Sequence, residues 1–175
     1  MIAVSKKICL LGDFAVGKTS LVRRFVYDRF EDKYLSTIGV KVSRKVVAIP
    51  NNDDVIELTI MLWDLAGTEE FDGVRSSYLR GSAGALIVCD VTRPETLATA
   101  KSYAADLHDV SPGALLVLAA NKSDLRSHEQ MSGQHIAAVA AELCAPFFAT
   151  SARTGAGVDE AFRALGRAVA VRQAS

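Results

Sequence analysis

The run Gly12-Asp13-Phe14-Ala15-Val16-Gly17-Lys18-Thr19 has the spacing G-x-x-x-x-G-K-T. Glycines at the two ends let a backbone turn tightly and come close to an oxyanion. Successive N–H groups then face inward, and a helix opening at the lysine adds the positive end of its dipole. The lysine brings a full charge and the threonine a hydroxyl able to ligate Mg²⁺. The contacts expected of this loop to a chain of phosphates are Asp13, Phe14, Ala15, Val16, Gly17, Lys18, Thr19 and Ser20.

A second group of motifs bears on what the phosphates are attached to. In Asn121-Lys122-Ser123-Asp124, a carboxylate at Asp124 can accept from the N1–H and N2–H of guanine. Adenine has no such donor pair and would leave the carboxylate unpaired, which costs about 10⁴–10⁵ in discrimination at sites built this way. Asn121 would tie neighbouring loops together, and the Lys122 stem would lie over the base. In Thr150-Ser151-Ala152-Arg153, the Ala152 N–H could donate to guanine O6, with Ser151 and Arg153 beside it. Phe30 reads either as a lid on the other side of the base or as a core aromatic. Asp64-Leu65-Ala66-Gly67 offers a carboxylate for Mg²⁺ and a Gly67 N–H for a terminal phosphate. Thr37 could add a second hydroxyl to the metal, making Thr19, Thr37 and Asp64 the expected metal set.

These residues need a scaffold. Apolar runs at 7–11, 85–91, 114–120 and 146–150 read as buried strands. Segments 41–49 and 55–63, joined by Pro50-Asn51-Asn52-Asp53-Asp54, read as an antiparallel hairpin. Helices are expected at 18–27, 94–109, 132–144 and 158–172. Ala137, Ala138, Ala141 and Leu143 are expected to pack in the core. The alternation implies an α/β fold: a six-stranded, mostly parallel sheet with one antiparallel strand and helices on both faces. Such sheets bind ligands beyond the carboxyl ends of their strands, where every motif above falls.

Bulk properties narrow the classes. With 175 residues the chain is read as one domain, residues 1–175, and half of its residues are hydrophobic, which opposes disorder. Lys plus Arg is 20 and Asp plus Glu is 20, so net charge gives no footprint for nucleic acid. Cys9, Cys89 and Cys144 are expected to be small buried hydrophobes in a reducing, cytoplasmic setting. No signal peptide or membrane span is apparent, so Asn121-Lys122-Ser123 is not expected to carry sugar.

Taken together, the motifs resemble those of the small Ras-like GTPases, most of all the Rab branch, over residues 6–172. The Rab-like features are Tyr34-Leu35-Ser36-Thr37-Ile38-Gly39-Val40, Trp63-Asp64, Ser76-Ser77-Tyr78 and Asp90-Val91-Thr92. The resemblance implies GTP and GDP as ligands with Mg²⁺, adds Tyr34 to the nucleotide contacts, and places catalysis at Thr68, Gly67 and Lys18. It implies switch segments at residues 30–40 and 66–78, with an exchange factor, an activating protein and effectors reading residues 30–45 and 66–80 of a monomer. Four departures accompany it. Thr68 stands where the family usually has a water-orienting glutamine, as in Rap-type relatives. Phe14 and Ala15 replace small or glycine residues in the loop. Val42 replaces one aromatic of the effector triad, leaving Trp63 and Tyr78. The end, Val171-Arg172-Gln173-Ala174-Ser175, has no cysteine for a lipid anchor: either a tail lies beyond this sequence or the protein is never lipid-anchored, and bacterial relatives generally lack such a tail. Arg75 is a conceivable internal charge donor, a structural charge being the simpler reading. The expected function is a switch with slow GTP hydrolysis in signalling, trafficking or polarity. The alternative is a nucleotide-binding interaction module with negligible hydrolysis, and an ATP-dependent kinase is opposed by Asp124.

Overall fold

The computed structural model describes residues 1–31, 39–67, 72–128 and 130–172. Six strands form one sheet in the order β2-β3-β1-β4-β5-β6: β1 Ile2–Leu11, β2 Val40–Asn51, β3 Asp54–Leu65, β4 Gly84–Asp90, β5 Leu115–Asn121 and β6 Phe147–Ala149. Only β2 and β3 pair antiparallel; β1–β3, β1–β4, β4–β5 and β5–β6 are parallel. This is the α/β architecture expected from the alternation of strand and helix.

Side-chain alternation divides the core between the two faces of the sheet. Ile8 and Leu10 of β1, Leu86 and Val88 of β4, and Val117 and Ala119 of β5 pack on one face, against helices α1 (Lys18–Tyr27) and α6 (Val158–Val171). Cys9 and Leu11, with Ile87 and Cys89, pack on the other, against helices α4 (Ala100–Val110) and α5 (Gly133–Glu142). All of β4 is buried, as a central parallel strand covered on both faces must be.

Several elements differ from the sequence reading. The β2–β3 hairpin is longer than expected and closes on Asn52 and Asp53, with Asn51 paired to Asp54 and Asn52 at φ +52. Helix α2 (Asp72–Leu79) was not anticipated. The single helix expected at 94–109 is two, α3 (Glu95–Ala98) and α4, jointed at Thr99. The Thr99 hydroxyl donates to Thr96 O at 3.2 Å and to Asp13 Oδ2 at 2.8 Å, a side-chain alternative that competes with a continuous helix. In α5 the buried residues are Ile136, Val139 and Ala140, while Ala138 and Ala141 are exposed. Alanines fit either face, so the larger Ile136 and Val139 set the stripe, not the Ala137-Ala138-Ala141 set. Cys144 is exposed, against expectation, because it follows the end of α5 at φ +52.

Candidate functional site

β1 ends at Leu11 and runs into the G-x-x-x-x-G-K-T loop, and α1 opens at Lys18. The glycines are required by contact. A Cβ on Gly12 would lie 2.4 Å from the Val88 carbonyl oxygen, and one on Gly17 would lie 2.3 Å from Asn121 Nδ2. Both also have positive φ, +149° and +103°. Gly67 lies against the same loop: its Cβ would meet backbone atoms of Gly12, Asp13 and Phe14 at 2.7 Å. The turn after β3 therefore rests directly on the loop.

Lys18 is 7% exposed, and its Nζ donates to Gly12 O at 2.8 Å and Asp13 O at 3.0 Å. Burial lowers its ammonium to about 8, with Asp64 and Asp13 opposing. Both hydrogen-bond partners are neutral carbonyls, which leaves this desolvated cation suited to an anion. Asp64, at the end of β3, is also buried. Its Oδ2 accepts from Thr19 Oγ1 at 2.5 Å, while Oδ1 has no hydrogen-bond partner among the described residues. Burial raises its pKa, with the Thr19 hydroxyl and Lys18 opposing. An orphaned buried carboxylate oxygen is costly, and a hard cation would supply what it lacks. Among the described residues no group of three or more His, Cys, Asp or Glu could hold a metal alone. A hydroxyl and a carboxylate, at Thr19 and Asp64, are donors of the kind that suit Mg²⁺, which is held by few carboxylates shared with phosphate oxygens.

The second group of motifs converges beside the first. Asn121, at the end of β5, donates from Nδ2 to Val16 O at 2.9 Å and accepts from Thr150 Oγ1 at 3.0 Å. Its burial, 1% exposed, also bars the glycan site. Lys122, at φ +65, donates to Ala15 O at 2.9 Å and lies 2.9 Å from Asp90 Oδ2. Asp124 accepts from Ser151 Oγ at 2.8 Å through Oδ1, so one carboxylate edge is fixed by the loop after β6. Ala152 is buried beside it, and Arg153 is exposed. Phe30 is 36% exposed, which removes it from the core. Phe14 is 45% exposed, on the rim of a cavity of about 450 Å³ that Asp13, Gly67, Arg75, Arg93 and Tyr103 also line. Thr68, Tyr34 and Thr37 lie outside the described residues.

The sequence reading missed a set of residues that brace the loop. Thr99 Oγ1 and Tyr103 OH donate to the two Asp13 carboxylate oxygens at 2.8 and 2.9 Å. Arg93 Nη2 donates to Phe14 O at 2.7 Å, and its Nε donates to Asp90 Oδ2 at 3.2 Å. Burial favours protonating Asp90, yet hydrogen bonds from Thr92 and Lys122 hold its pKa below the ordinary carboxylate value. Arg24 donates to Ala152 O at 2.8 Å and Arg153 O at 2.6 Å, tying α1 to the loop after β6. Arg75, for which the sequence reading gives a structural charge as the simpler role, pairs with Asp106 at 3.3 Å and stacks over Tyr103. Apart from Arg93 and Thr92 with Asp90, these partners are far apart in sequence. The one legible signal was Asp90, a lone charge closing the apolar strand G-A-L-I-V-C-D.

Comparison with known proteins agrees with this arrangement. The family model for the Ras family matches residues 7–171. Ras-related protein RABD2b of Arabidopsis thaliana is 38% identical over 170 residues, 97% of this chain and 82% of that protein. GTP-binding protein ypt5 of Schizosaccharomyces pombe is 38% identical over 169 residues, 95% of this chain and 79% of that protein. Ras-related protein Rab-22A of Mus musculus is 37% identical over 165 residues, 93% of this chain and 82% of that protein. With the G-x-x-x-x-G-K-T loop at the end of β1, its supporting turns on β3, β5 and β6, and these relatives across nearly the whole chain, the protein belongs to the Ras family.

Proposed function

We propose that this chain is a monomeric, cytoplasmic GTPase switch that binds GTP and GDP with Mg²⁺ and hydrolyses GTP slowly. The observation that carries the reading is the juxtaposition of a desolvated Lys18 on the loop with an orphaned Asp64 oxygen and an Asp124 fixed by Ser151. Lys18 binds the outer phosphates. The loop from Asp13 to Ser20, with Gly67, cradles the rest. Asp124 and Ala152 read the guanine, Asn121 and Lys122 hold their loops in place, and Ser151, Arg153, Phe30 and Tyr34 complete the nucleotide contacts. Thr19, Thr37 and Asp64 would hold Mg²⁺, which would supply positive charge to the phosphate oxygens. Residues 30–45 and 66–80 are the surfaces that regulators and effectors read in signalling, trafficking or polarity.

Thr68 is too short to orient a water as glutamine does, and the half-exposed Phe14 ring crowds the approach of a charge donor from outside. An arginine donated in trans is worth about 10³–10⁵ in rate, so crowding at Phe14 favours slow turnover. Single-turnover hydrolysis by the wild type and by Thr68→Gln tests this. We expect the substitution to speed hydrolysis; a fast wild-type rate untouched by it would remove Thr68 as the limit. GTP that persists over hours, even with cell extract added, would favour a binding module that reads its nucleotide without consuming it.

A further inference from the structure

Three consecutive carbonyls of the phosphate loop are each held by a different side chain. Asn121 takes Val16 O, Lys122 takes Ala15 O, and Arg93 takes Phe14 O, at 2.9, 2.9 and 2.7 Å. Asn121 and Lys122 belong to the N-K-x-D motif. Arg93 belongs to none of the motifs and enters from the segment just after β4.

A peptide unit is rigid and planar, with its C=O and N–H on opposite edges. Fixing the Phe14 carbonyl toward Arg93 therefore fixes the Ala15 N–H on the far side of the same plane. The residue that follows this plane is the strained one. Ala15 is at φ +63, where an L-residue is disfavoured and persists only when its surroundings hold it. Arg93 supplies that restraint with two donors of one guanidinium. Nη2 is on Phe14 O, and Nε is on Asp90 Oδ2. Asp90 is 1% exposed and also receives Lys122 Nζ, so two neighbouring loop carbonyls hang from one buried carboxylate.

We infer that Arg93 is a positioning residue of the phosphate site: bridging Asp90 to the Phe14 carbonyl, it holds the Phe14–Ala15 peptide so that the Ala15 N–H faces the outer phosphates of a guanosine di- or triphosphate. The inference rests on the proposed reading of the loop as a nucleotide phosphate site. Lysine would replace the arginine only in part, because its single ammonium lacks the fixed two-donor fork with which the guanidinium meets Phe14 O and Asp90 Oδ2. Among the described residues Arg93 bonds to Asp90 and Phe14 O and not to Asp124 or Ala152, so its direct influence falls on the phosphate side of the site.

The test compares GDP and GMP on the full-length chain, by competition against a fluorescent GDP and by its dissociation rate. Arg93→Ala should weaken GDP about tenfold, the scale of one charge-assisted hydrogen bond, and speed GDP release correspondingly. GMP affinity should stay within about twofold, since it lacks the outer phosphates that the inference concerns. Arg93→Lys keeps the aliphatic stem and the charge and guards against a folding defect in the alanine variant. It should recover only part of the GDP affinity while its thermal unfolding stays at the wild-type midpoint. Equal weakening of GDP and GMP would make Arg93 a general structural charge and overturn the inference, as would an unchanged GDP dissociation rate in both variants. A wild-type chain that bound neither nucleotide would overturn the reading of the loop itself, and the inference with it.

Discussion

Lys18, on the loop, and Asp64, at the end of β3, are two desolvated charges whose present partners are incomplete. The ammonium rests on two carbonyl oxygens, and the carboxylate has one oxygen bonded to Thr19 and the other without a hydrogen-bond partner among the described residues. Such groups cost stability unless a ligand completes them, so substitution should be felt in binding before folding. Lys18→Ala and Thr19→Asn should each lower the affinity for GDP with Mg²⁺ by well over tenfold in calorimetric titration; wild-type affinity in both would remove the phosphate-loop assignment. Asp124→Asn should weaken GTP binding through the base alone, because Ser151 Oγ can still donate to the remaining amide oxygen. Unchanged GTP affinity in that variant would take the base-reading role from Asp124. The cysteines give a separate check on burial. Cys9 and Cys89 are buried and their thiols are pushed up by desolvation, Cys89 to about 12, whereas Cys144 is exposed. A thiol reagent at neutral pH should modify one cysteine in the folded protein and all three only after denaturation, because the thiolate is the reactive form.

Between residues and the whole, the elements show what the sequence could and could not express. The loop, the helix after it and the N-K-x-D turn were legible because each is a local pattern whose physics is complete within about eight residues. The break at Thr99 and the bracing by Arg93, Tyr103 and Arg24 were not. Each depends on a partner brought near by the sheet: Asp13 is 86 residues from Thr99, and Arg24 is 128 from Ala152. The α5 stripe misled for a different reason, since a run of alanines carries no directional information. Helix α6 offers an element-scale test with two glycines of opposite meaning. Gly157 caps it at φ +69, and a Cβ there would lie 2.0 Å from the Ala149 carbonyl. Gly166 is inside the helix, where a Cβ would meet only the side-chain ends of Leu58 and Ile60 at 3.2 and 3.4 Å. Gly157→Ala should destabilise strongly, by more than about 2 kcal/mol, since both φ and backbone contact oppose it. Gly166→Ala should be near neutral, because a helix-propensity gain of about 1 kcal/mol offsets modest crowding. Urea denaturation of the two variants decides it: a similar loss in both would mean that contact at the helix interior, not the cap, dominates.

At the scale of the whole molecule, the described residues form two core clusters separated by one sheet, and the site draws on elements from both faces. The loop and α1 lean on the face that α6 covers, where Phe25 stacks on Phe162 with ring centroids 4.4 Å apart. The residues bracing Asp13 and Phe14 come from the α3–α4 side, where the sole tryptophan, Trp63, packs against the other cluster. If the chain is one cooperative unit, as its size and its shared sheet imply, damage to one face must register on the other. Phe162→Ala removes a fully buried ring and should cost about 3–5 kcal/mol. For a protein of this length that corresponds to a fall in midpoint of about 6–20 °C. Trp63 fluorescence, which reports the opposite face, should record the same fall as far-UV circular dichroism. Adding GDP with Mg²⁺ at about 100 times its dissociation constant should then return about 2.7 kcal/mol in the variant as in the wild type, provided that α1 still presents Lys18 and Thr19 correctly. A Trp63 transition left in place while the helical signal shifts would divide the chain into two units. A variant that melts earlier but gains nothing from GDP would instead show that the Phe25–Phe162 stack sets the aim of the phosphate loop as well as the stability of the fold.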